Sequence, residues 1–198
     1  MIKEIKITLL GNSGVGKSSI VNRFCFQSFN ENNQSNLGAD YFSKEIELQN
    51  NKFKFQIWDT AGQEKFRSLV PLFLRNSQVA IIVYDITQKS SFTSLKEWVS
   101  NLEQICTKDQ LFVLVGNKCD LIEQEEVTYD EAMQYSYNLK AIFQYTSCKT
   151  NDGIEELFNK IAVEYLKFEE EQKNKQMHKN EQQNSKLKFQ NKHYFACC

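Results

Sequence analysis

Apolar residues recur along this chain with two different spacings, and the segments that carry them alternate. Nearly continuous apolar runs, or runs of period two, predict β-strands. These strands are Ile5–Leu10, Phe42–Leu48, Phe53–Trp58, Gln78–Asp85, Leu111–Val115 and Ala141–Thr146. Helices are predicted over Ser18–Gln27, Ser91–Cys106, Thr128–Asn138 and Ile154–Leu166.

This alternation predicts an α/β fold: a mostly parallel six-stranded sheet with helices on both faces. The first hairpin, which turns at Gln49-Asn50-Asn51, would supply one antiparallel edge strand. The apolar period ends after Leu166, and a segment rich in Gln, Asn and Lys follows. We predict a folded domain over residues 1–168, and a flexible basic tail over residues 169–198 in which the last helix frays.

Charge and composition argue against a secreted, a membrane-spanning or a disulfide-rich protein. The net charge is −1, but residues 172–198 contain six Lys and one Glu, so an acidic body precedes a basic tail. Charged residues near the start argue against a signal peptide, and the apolar run Val79–Ile86 is too short to cross a bilayer. Scattered cysteines without a C-x-x-C pair favour neither a disulfide framework nor a zinc site.

The segment GNSGVGKS, residues 11–18, fits the pattern G-x-x-x-x-G-K-[ST] between a predicted strand and a predicted helix. Its glycines allow backbone N–H groups to close around phosphate oxygens, and the helix N-terminus adds its dipole. Lys17 offers a charge to the outer phosphates, and Ser18 offers a hydroxyl to Mg²⁺. A glycine-rich turn without a ligand is the alternative, which both flanking elements disfavour.

A second segment, DTAGQ at residues 59–63, follows the strand KFQIWD. The carboxyl ends of parallel strands meet at the sheet edge where ligands bind in such folds. Asp59 is therefore placed to hold Mg²⁺, through a water in our interpretation. Gly62 can present its N–H to a terminal phosphate, and Gln63 can orient a water beside it. Alone, this segment could be a turn with a capping Asp.

Two further segments follow later strands and indicate the base. In Asn117-Lys118-Cys119-Asp120, a fixed carboxylate at Asp120 would accept from guanine N1–H and the N2 amine. Adenine offers neither donor, so an ATP complex would leave a buried carboxylate unpaired. Ser147-Cys148-Lys149 can close over the base, with a backbone N–H near guanine O6. The four segments together favour a guanine-nucleotide site.

GNSGVGKS, WDTAGQE, NKCD and TSCK together resemble the Ras superfamily of small GTPases, which are P-loop NTPases built on a G domain. Within it, LGADY, KFQIWDTAGQE, KFRSL, FLRNS and VYDIT are similar to stretches of the Rab family. The resemblance covers Lys3 to about Leu166. The stretch KFRSLVPLFLRNSQVAIIVYDIT looks most like the Golgi-type Rab subgroup, and an endosomal subgroup is the alternative.

The resemblance implies a GTP hydrolase that cycles between GDP and GTP forms with Mg²⁺ and regulates vesicle traffic. Gln63 would be the catalytic glutamine, and Phe29 would pack against the guanine. No arginine finger is evident in the chain, so an activating protein would supply one and accelerate slow hydrolysis about 10³–10⁵-fold. Expected nucleotide contacts are Gly11, Asn12, Ser13, Gly14, Val15, Gly16, Lys17, Ser18, Ser19, Phe29, Asn36, Gly62, Asn117, Lys118, Asp120, Ser147, Cys148 and Lys149.

The resemblance also assigns a metal set, Ser18, Asn36 and Asp59, and an effector surface, Tyr41, Trp58 and Phe73, for which core packing is the alternative. Asn36, in QSNLGADY, stands where the family has a threonine whose hydroxyl ligates Mg²⁺. The amide keeps the backbone N–H but sits one bond further from the backbone, and Mg²⁺ tolerates little distortion. Either the switch is weakened, or Ser35 or the amide oxygen substitutes, which we favour. Ser13 and Cys148 are milder departures.

Cys197 and Cys198 close the sequence, and the resemblance implies that both carry geranylgeranyl chains. Two chains give stable anchoring, and the tail lysines add affinity for anionic lipid. The expected partners are an exchange factor, a GTPase-activating protein, a GDP dissociation inhibitor, effectors or tethers, and a membrane, but no nucleic acid. We expect a monomer on the cytoplasmic face of a Golgi or endosomal membrane, with a cytosolic pool.

Two other functions are also compatible with these motifs. A prenylated scaffold could bind guanine nucleotide but barely hydrolyse it, which Asn36 would permit and Gln63 disfavours. A P-loop kinase is the third hypothesis, but it would leave NKCD and the vicinal cysteines unexplained.

Overall fold

The computed structural model describes residues 2–31, 39–60, 70–75, 77–99 and 110–194. Its six strands form one sheet in the order β2-β3-β1-β4-β5-β6, in which β2 and β3 are antiparallel and all other neighbours are parallel. The predicted sheet, including the antiparallel edge strand, is confirmed. The strands are β1 (Ile2–Leu10), β2 (Ala39–Leu48), β3 (Asn51–Thr60), β4 (Val79–Asp85), β5 (Leu111–Asn117) and β6 (Ile142–Thr146).

The described helices are α1 (Lys17–Phe26), α2 (Val70–Leu74), α3 (Lys89–Thr93), α4 (Tyr129–Leu139) and α5 (Ile154–Tyr194), with a 3₁₀ helix at Cys119–Gln124. Neither α2 nor the 3₁₀ helix was predicted. The helix predicted from Ser91 to Cys106 starts earlier and is interrupted at Ser94, after which residues 95–99 are helical. Hydroxyls that donate to carbonyls three or four residues back, such as Ser94 Oγ to Ser90 O at 2.7 Å, compete there with regular helix geometry.

The β2–β3 hairpin is tighter and longer than its sequence predicts. Leu48 pairs with Asn51, which leaves only Gln49 and Asn50 in the loop. Both have positive φ, 51° and 61°, as in a type I′ turn, whose twist matches that of the strands. Pairing therefore continues to Thr60, which brings Asp59 to the edge of the sheet.

Apolar side chains cover both faces of the sheet. On one face, Phe24 of α1 and Phe158 of α5 stack with ring centroids 3.5 Å apart, and both meet Phe55 of β3 edge-on. On the other, Tyr84 of β4 packs against Phe92 of α3 at 4.9 Å. All seven residues of β4 are buried, as expected of a central strand covered twice. The strands whose carboxyl ends carry the predicted site residues are therefore packed on both faces.

The chain divides into two compact units, Met1–Ala162 and Val163–Cys198. The structure continues α5 to Tyr194, whereas fraying was predicted after Leu166. Glu, Gln and Lys are strong helix formers, and neither Gly nor Pro follows Gly153. Ion pairs one turn apart, Lys167–Glu164 and Lys173–Glu169, support the helix further. Within the described ranges, no helix is both long and apolar enough to cross a bilayer.

Candidate functional site

The loop between β1 and α1 requires glycine at two positions. Gly11 has φ +138°, and a Cβ there would lie 2.2 Å from the Val83 carbonyl oxygen. Gly16 has φ +100°, and a Cβ there would lie 2.1 Å from Nδ2 of Asn117. Both contacts are shorter than any side chain allows, so the backbone is drawn against β4 and against the start of the NKCD segment. The loop is thereby shaped for backbone N–H groups rather than side chains to meet a ligand.

Lys17 is the cation of this loop, and it is already held in place. Its Nζ donates to the carbonyl oxygens of Gly11 and Asn12 at 2.9 Å and 2.8 Å. The side chain is only 5% exposed. Burial lowers the Lys17 pKa to about 8, and the Asp59 carboxylate partly opposes this shift. A buried ammonium with a depressed pKa favours an anionic ligand, since added negative charge would restore its charged form.

Asp59 lies at the end of β3 and is fully buried. In the parallel register it is opposite Leu9, whose carbonyl oxygen accepts from Thr60 Oγ1 at 2.6 Å. The sheet therefore brings Asp59 to the same edge as the glycine loop and as Ser18, the second residue of α1. The predicted third metal residue, Asn36, lies outside the described residues.

The donor set at this edge fits Mg²⁺ rather than a metal held by protein alone. A carboxylate and a hydroxyl are hard oxygen donors, which Mg²⁺ prefers together with phosphate oxygens and water. Among the residues that the structure describes, no group of three or more His, Cys, Asp or Glu could hold a metal ion. Asp59 and Ser18 thus suit a cation that arrives with a phosphate.

Asn117 joins the segment after β5 to two other segments. Its Nδ2 donates to the carbonyl oxygen of Val15 in the glycine loop at 2.8 Å. Its Oδ1 accepts from Thr146 Oγ1 at 3.0 Å and lies 3.6 Å from the Cys148 thiol. The side chain is 2% exposed, so these bonds form away from water. Asn117 therefore fixes the phosphate side of the site relative to the predicted base side.

The base-side segments are also joined to each other. Ser147 Oγ donates to Asp120 Oδ1 at 2.6 Å and accepts from the Thr150 N–H at 3.1 Å. The Ser147 N–H donates to the Asp152 carbonyl oxygen at 2.9 Å. The hydroxyl thus orients the carboxylate of Asp120, the group predicted to read the base.

Lys118 adopts a left-handed conformation, with φ 67°, and its Nζ lies 2.5 Å from Oδ2 of Asp85. Asp85 ends β4 and is fully buried, and its Oδ1 accepts from Thr87 N and Oγ1 at 2.9 Å and 2.7 Å. The sequence did not single out Asp85 as part of the site. The signal was present, since it is an acidic residue at the carboxyl end of a fully apolar strand.

Cys148 is 4% exposed, and burial raises its pKa to about 12. Burial also raises the pKa of Cys119. Both thiols are therefore protonated at neutral pH and poor nucleophiles. At this position Cys148 acts as a small, mostly apolar side chain.

Asn12 uses its side chain in a way that the motif does not reveal. Its Nδ2 donates to Ser94 Oγ at 3.0 Å, and the Trp98 indole N–H donates to its Oδ1 at 3.1 Å. The second position of the glycine loop is thereby tied to the helical segment after β4. Its partners lie more than eighty positions away in the chain, so no local pattern could have found them.

The three predicted effector aromatics lie side by side. Tyr41 and Trp58 pair across the β2–β3 hairpin with ring centroids 5.0 Å apart, and Trp58 and Phe73 are 5.5 Å apart. Tyr41 remains 49% exposed. Of the other predicted residues, Ser13 and Gly14 are exposed at the tip of the glycine loop and Phe29 is half-buried beyond α1. Gly62, Gln63, Cys197 and Cys198 lie outside the described residues.

Comparison with known proteins agrees with this arrangement. The sequence model of the Ras family matches residues 6–167. Human Ras-related protein Rab-22A is 47% identical over 161 residues, which cover 81% of this chain and 83% of the relative. Human Ras-related protein Rab-31 is 45% identical over the same shares of both chains. The chain therefore belongs to the Ras superfamily and, within it, to the Rab small GTPases, which hydrolyse GTP.

Proposed function

We propose that the four segments at the carboxyl edge of the sheet form one guanine-nucleotide site, through which this Rab switches between GDP and GTP forms. The observation that carries the proposal is the side chain of Asn117, which bonds the glycine loop at Val15 and the base segments at Thr146. The glycine loop suits phosphates and the base-side segments suit a purine base, and one buried amide connects them. The arrangement therefore suits a nucleotide, which has both a phosphate and a base.

On the phosphate side, the backbone of the glycine loop would surround the phosphates, and Lys17 would neutralise the outer ones. Ser18 and Asp59 would hold Mg²⁺, which would supply positive charge to offset the negative charge that develops during phosphoryl transfer. The third metal ligand would be the amide oxygen of Asn36 or, in its place, Ser35. Gln63 would orient the attacking water, and Gly62 would donate its N–H to the terminal phosphate.

On the base side, Asp120 would accept from guanine N1–H and N2, oriented by Ser147. Phe29 would pack against the base, and a backbone N–H group of residues 147–149 would approach O6. Hydrolysis would remain slow until a partner supplies an arginine. The other expected partners are an exchange factor, a GDP dissociation inhibitor and effectors that contact the row Tyr41, Trp58 and Phe73.

We propose that Cys197 and Cys198 are prenylated and that the basic tail supports binding to the cytoplasmic face of an endomembrane. The two membranes considered from the sequence are Golgi and endosome. Resemblance in KFRSLVPLFLRNSQVAIIVYDIT favours the Golgi type.

Equilibrium competition against a fluorescent GDP tests base selectivity. Unlabelled GDP should displace the probe at least a hundredfold better than ADP, because a base without the N1 and N2 donors leaves Asp120 unpaired, at a cost of about 1–3 kcal/mol or more. The matched variant is Asp120→Asn. It should lose GDP and gain xanthosine diphosphate, since its amide donates to a 2-oxo group. Equal displacement by GDP and ADP would contradict the proposal.

A further inference from the structure

One arginine outside the four segments connects the two loops at the base side of the site. Arg23 projects from α1, and its Nε donates to the Cys148 carbonyl oxygen at 2.8 Å. Its Nη2 donates to the Lys149 carbonyl oxygen at 3.2 Å, and its Nη1 to that of Gln27 at 3.1 Å. A planar guanidinium can serve three acceptors in fixed directions, which an ammonium on a flexible stem cannot do.

The same guanidinium lies against Phe29. Its central carbon is 5.7 Å from the centroid of the ring, within the range of a cation–π contact. A second link joins the two loops near their tips, where Lys149 Nζ lies 3.2 Å from Glu31 Oε1. Both partners of that pair are more than half exposed, so it contributes little. Arg23 is therefore the principal described connection between the loop after α1 and residues 147–149.

The bonds of Arg23 also set the direction of backbone N–H groups. In a trans peptide the C=O and the following N–H point to opposite sides. With the Cys148 carbonyl held by Arg23, the Lys149 N–H points away from α1. With the Lys149 carbonyl held likewise, the Thr150 N–H points away from α1, and it donates to Ser147 Oγ at 3.1 Å.

Ser147 connects the Thr150 N–H to Asp120, the residue that would bind the base. Its Oγ accepts from Thr150 N–H and donates its single proton to Asp120 Oδ1 at 2.6 Å. Arg23 donates to the Lys149 carbonyl oxygen, and the same peptide group carries the Thr150 N–H, which donates to Ser147 Oγ. Ser147 Oγ in turn donates to Asp120. The three hydrogen bonds therefore connect Arg23 to Asp120 without a gap. Such a network orients its last member more firmly than that member's own rotamer preference would.

We infer that Arg23 is a positioning residue for guanine recognition. It holds residues 147–149 and Phe29 closed over the base and, through Ser147, orients Asp120 toward the N1–H and N2 donors. It thereby slows nucleotide release and sharpens the discrimination of guanine from bases that lack the N2 amine. This inference rests on the proposed guanine-nucleotide site.

The test measures release of GDP and of IDP, whose hypoxanthine lacks the N2 amine, from the full-length protein and Arg23→Gln. Wild type should retain GDP longer than IDP. In the variant, GDP release should accelerate on the order of tenfold, the usual effect of losing a hydrogen bond to a charged group. IDP release should accelerate clearly less, since IDP never used the full Asp120 contact. Single-turnover hydrolysis of bound GTP should stay within about twofold, because the phosphate side is unchanged.

Two further variants separate positioning from general loosening. Arg23→Lys keeps the charge but not the planar fork, so it should release GDP at an intermediate rate. Glu31→Gln breaks only the exposed ion pair with Lys149 and should alter release by less than about twofold.

Wild-type release rates in Arg23→Gln would overturn the inference, as would equal acceleration of GDP and IDP, which indicates mere loosening of the fold. If wild type itself fails to retain GDP over IDP, the proposed base site fails, and the role of Arg23 fails with it. If wild type retains GDP longer than IDP but Arg23→Gln releases both at wild-type rates, only the role of Arg23 is overturned.

Discussion

At the scale of single residues, Asn117 connects the two sides of the site through the nitrogen and the oxygen of its side-chain amide. Its nitrogen donates to the glycine loop while its oxygen accepts from β6. An aspartate of the same size could accept but could not donate to Val15, so it would leave that carbonyl without its partner. The NKCD motif identifies Asn117 as a functional residue, but its structural task becomes visible only from the fold.

Lys17 predicts how nucleotide affinity depends on pH. Its pKa is about 8 in the free site, and a bound phosphate favours the charged ammonium and raises that value. Nucleotide binding is then accompanied by proton uptake above about pH 8, so the affinity should be constant below that pH and fall above it. Fluorescence titration of nucleotide-free protein with GDP, from about pH 7 to about pH 9, measures this directly.

Lys17→Arg is the matched control for this titration. Arginine stays charged throughout the range, so the part of the pH dependence that belongs to Lys17 should disappear, whatever the absolute affinity. Guanine N1 loses its own proton toward the alkaline end, and the variant retains that contribution. An identical pH profile in wild type and variant would contradict the role given to Lys17.

At the scale of elements, most of the sheet was predictable and several helices were not. Strands such as β4 are marked by uninterrupted apolar residues, and their alternation with helices determines a parallel sheet. The division near Ser94 was missed because serine and threonine hydroxyls bond locally to carbonyls, which the apolar spacing does not show. The structure continues α5 beyond Leu166, because helix propensity persists where the amphipathic spacing ends.

The same distinction holds for the candidate site. The glycine loop, Asp59 and the base segments carry local patterns, and the parallel strands bring them to one edge. The bonds of Asn12 to Trp98 and of Arg23 to Cys148 join residues that are 86 and 125 positions apart. Long-range side-chain bonds have no local pattern, so they could be found only from the folded chain.

At the scale of the whole molecule, the chain combines an acidic nucleotide-binding body with a basic segment that ends in two cysteines. We expect that membrane binding depends on the two cysteines. A tagged Cys197→Ser, Cys198→Ser double variant should become cytosolic, because lysines alone give weak, salt-sensitive attachment. Fractionation and imaging beside Golgi and endosomal markers measure this.

Wild type serves as the control in the same cells, and the organelle marker with which it coincides decides between the two membranes. Membrane association that survives loss of both thiols would contradict prenylation. The nucleotide affinity of the double variant should equal that of wild type, since the substitutions lie far along the chain from every residue of the proposed site.

Single-turnover GTP hydrolysis by the full-length protein, followed as Mg²⁺ is titrated, tests whether the proposed site is a working GTPase. We expect slow turnover that requires Mg²⁺ at ordinary concentrations, nearly unchanged in Asn36→Thr because the amide oxygen or Ser35 suffices. Gln63→Ala should retain bound GTP and lose turnover. Tight GTP binding without turnover at any Mg²⁺ concentration, restored by Asn36→Thr, would contradict the account and leave a nucleotide-bound scaffold.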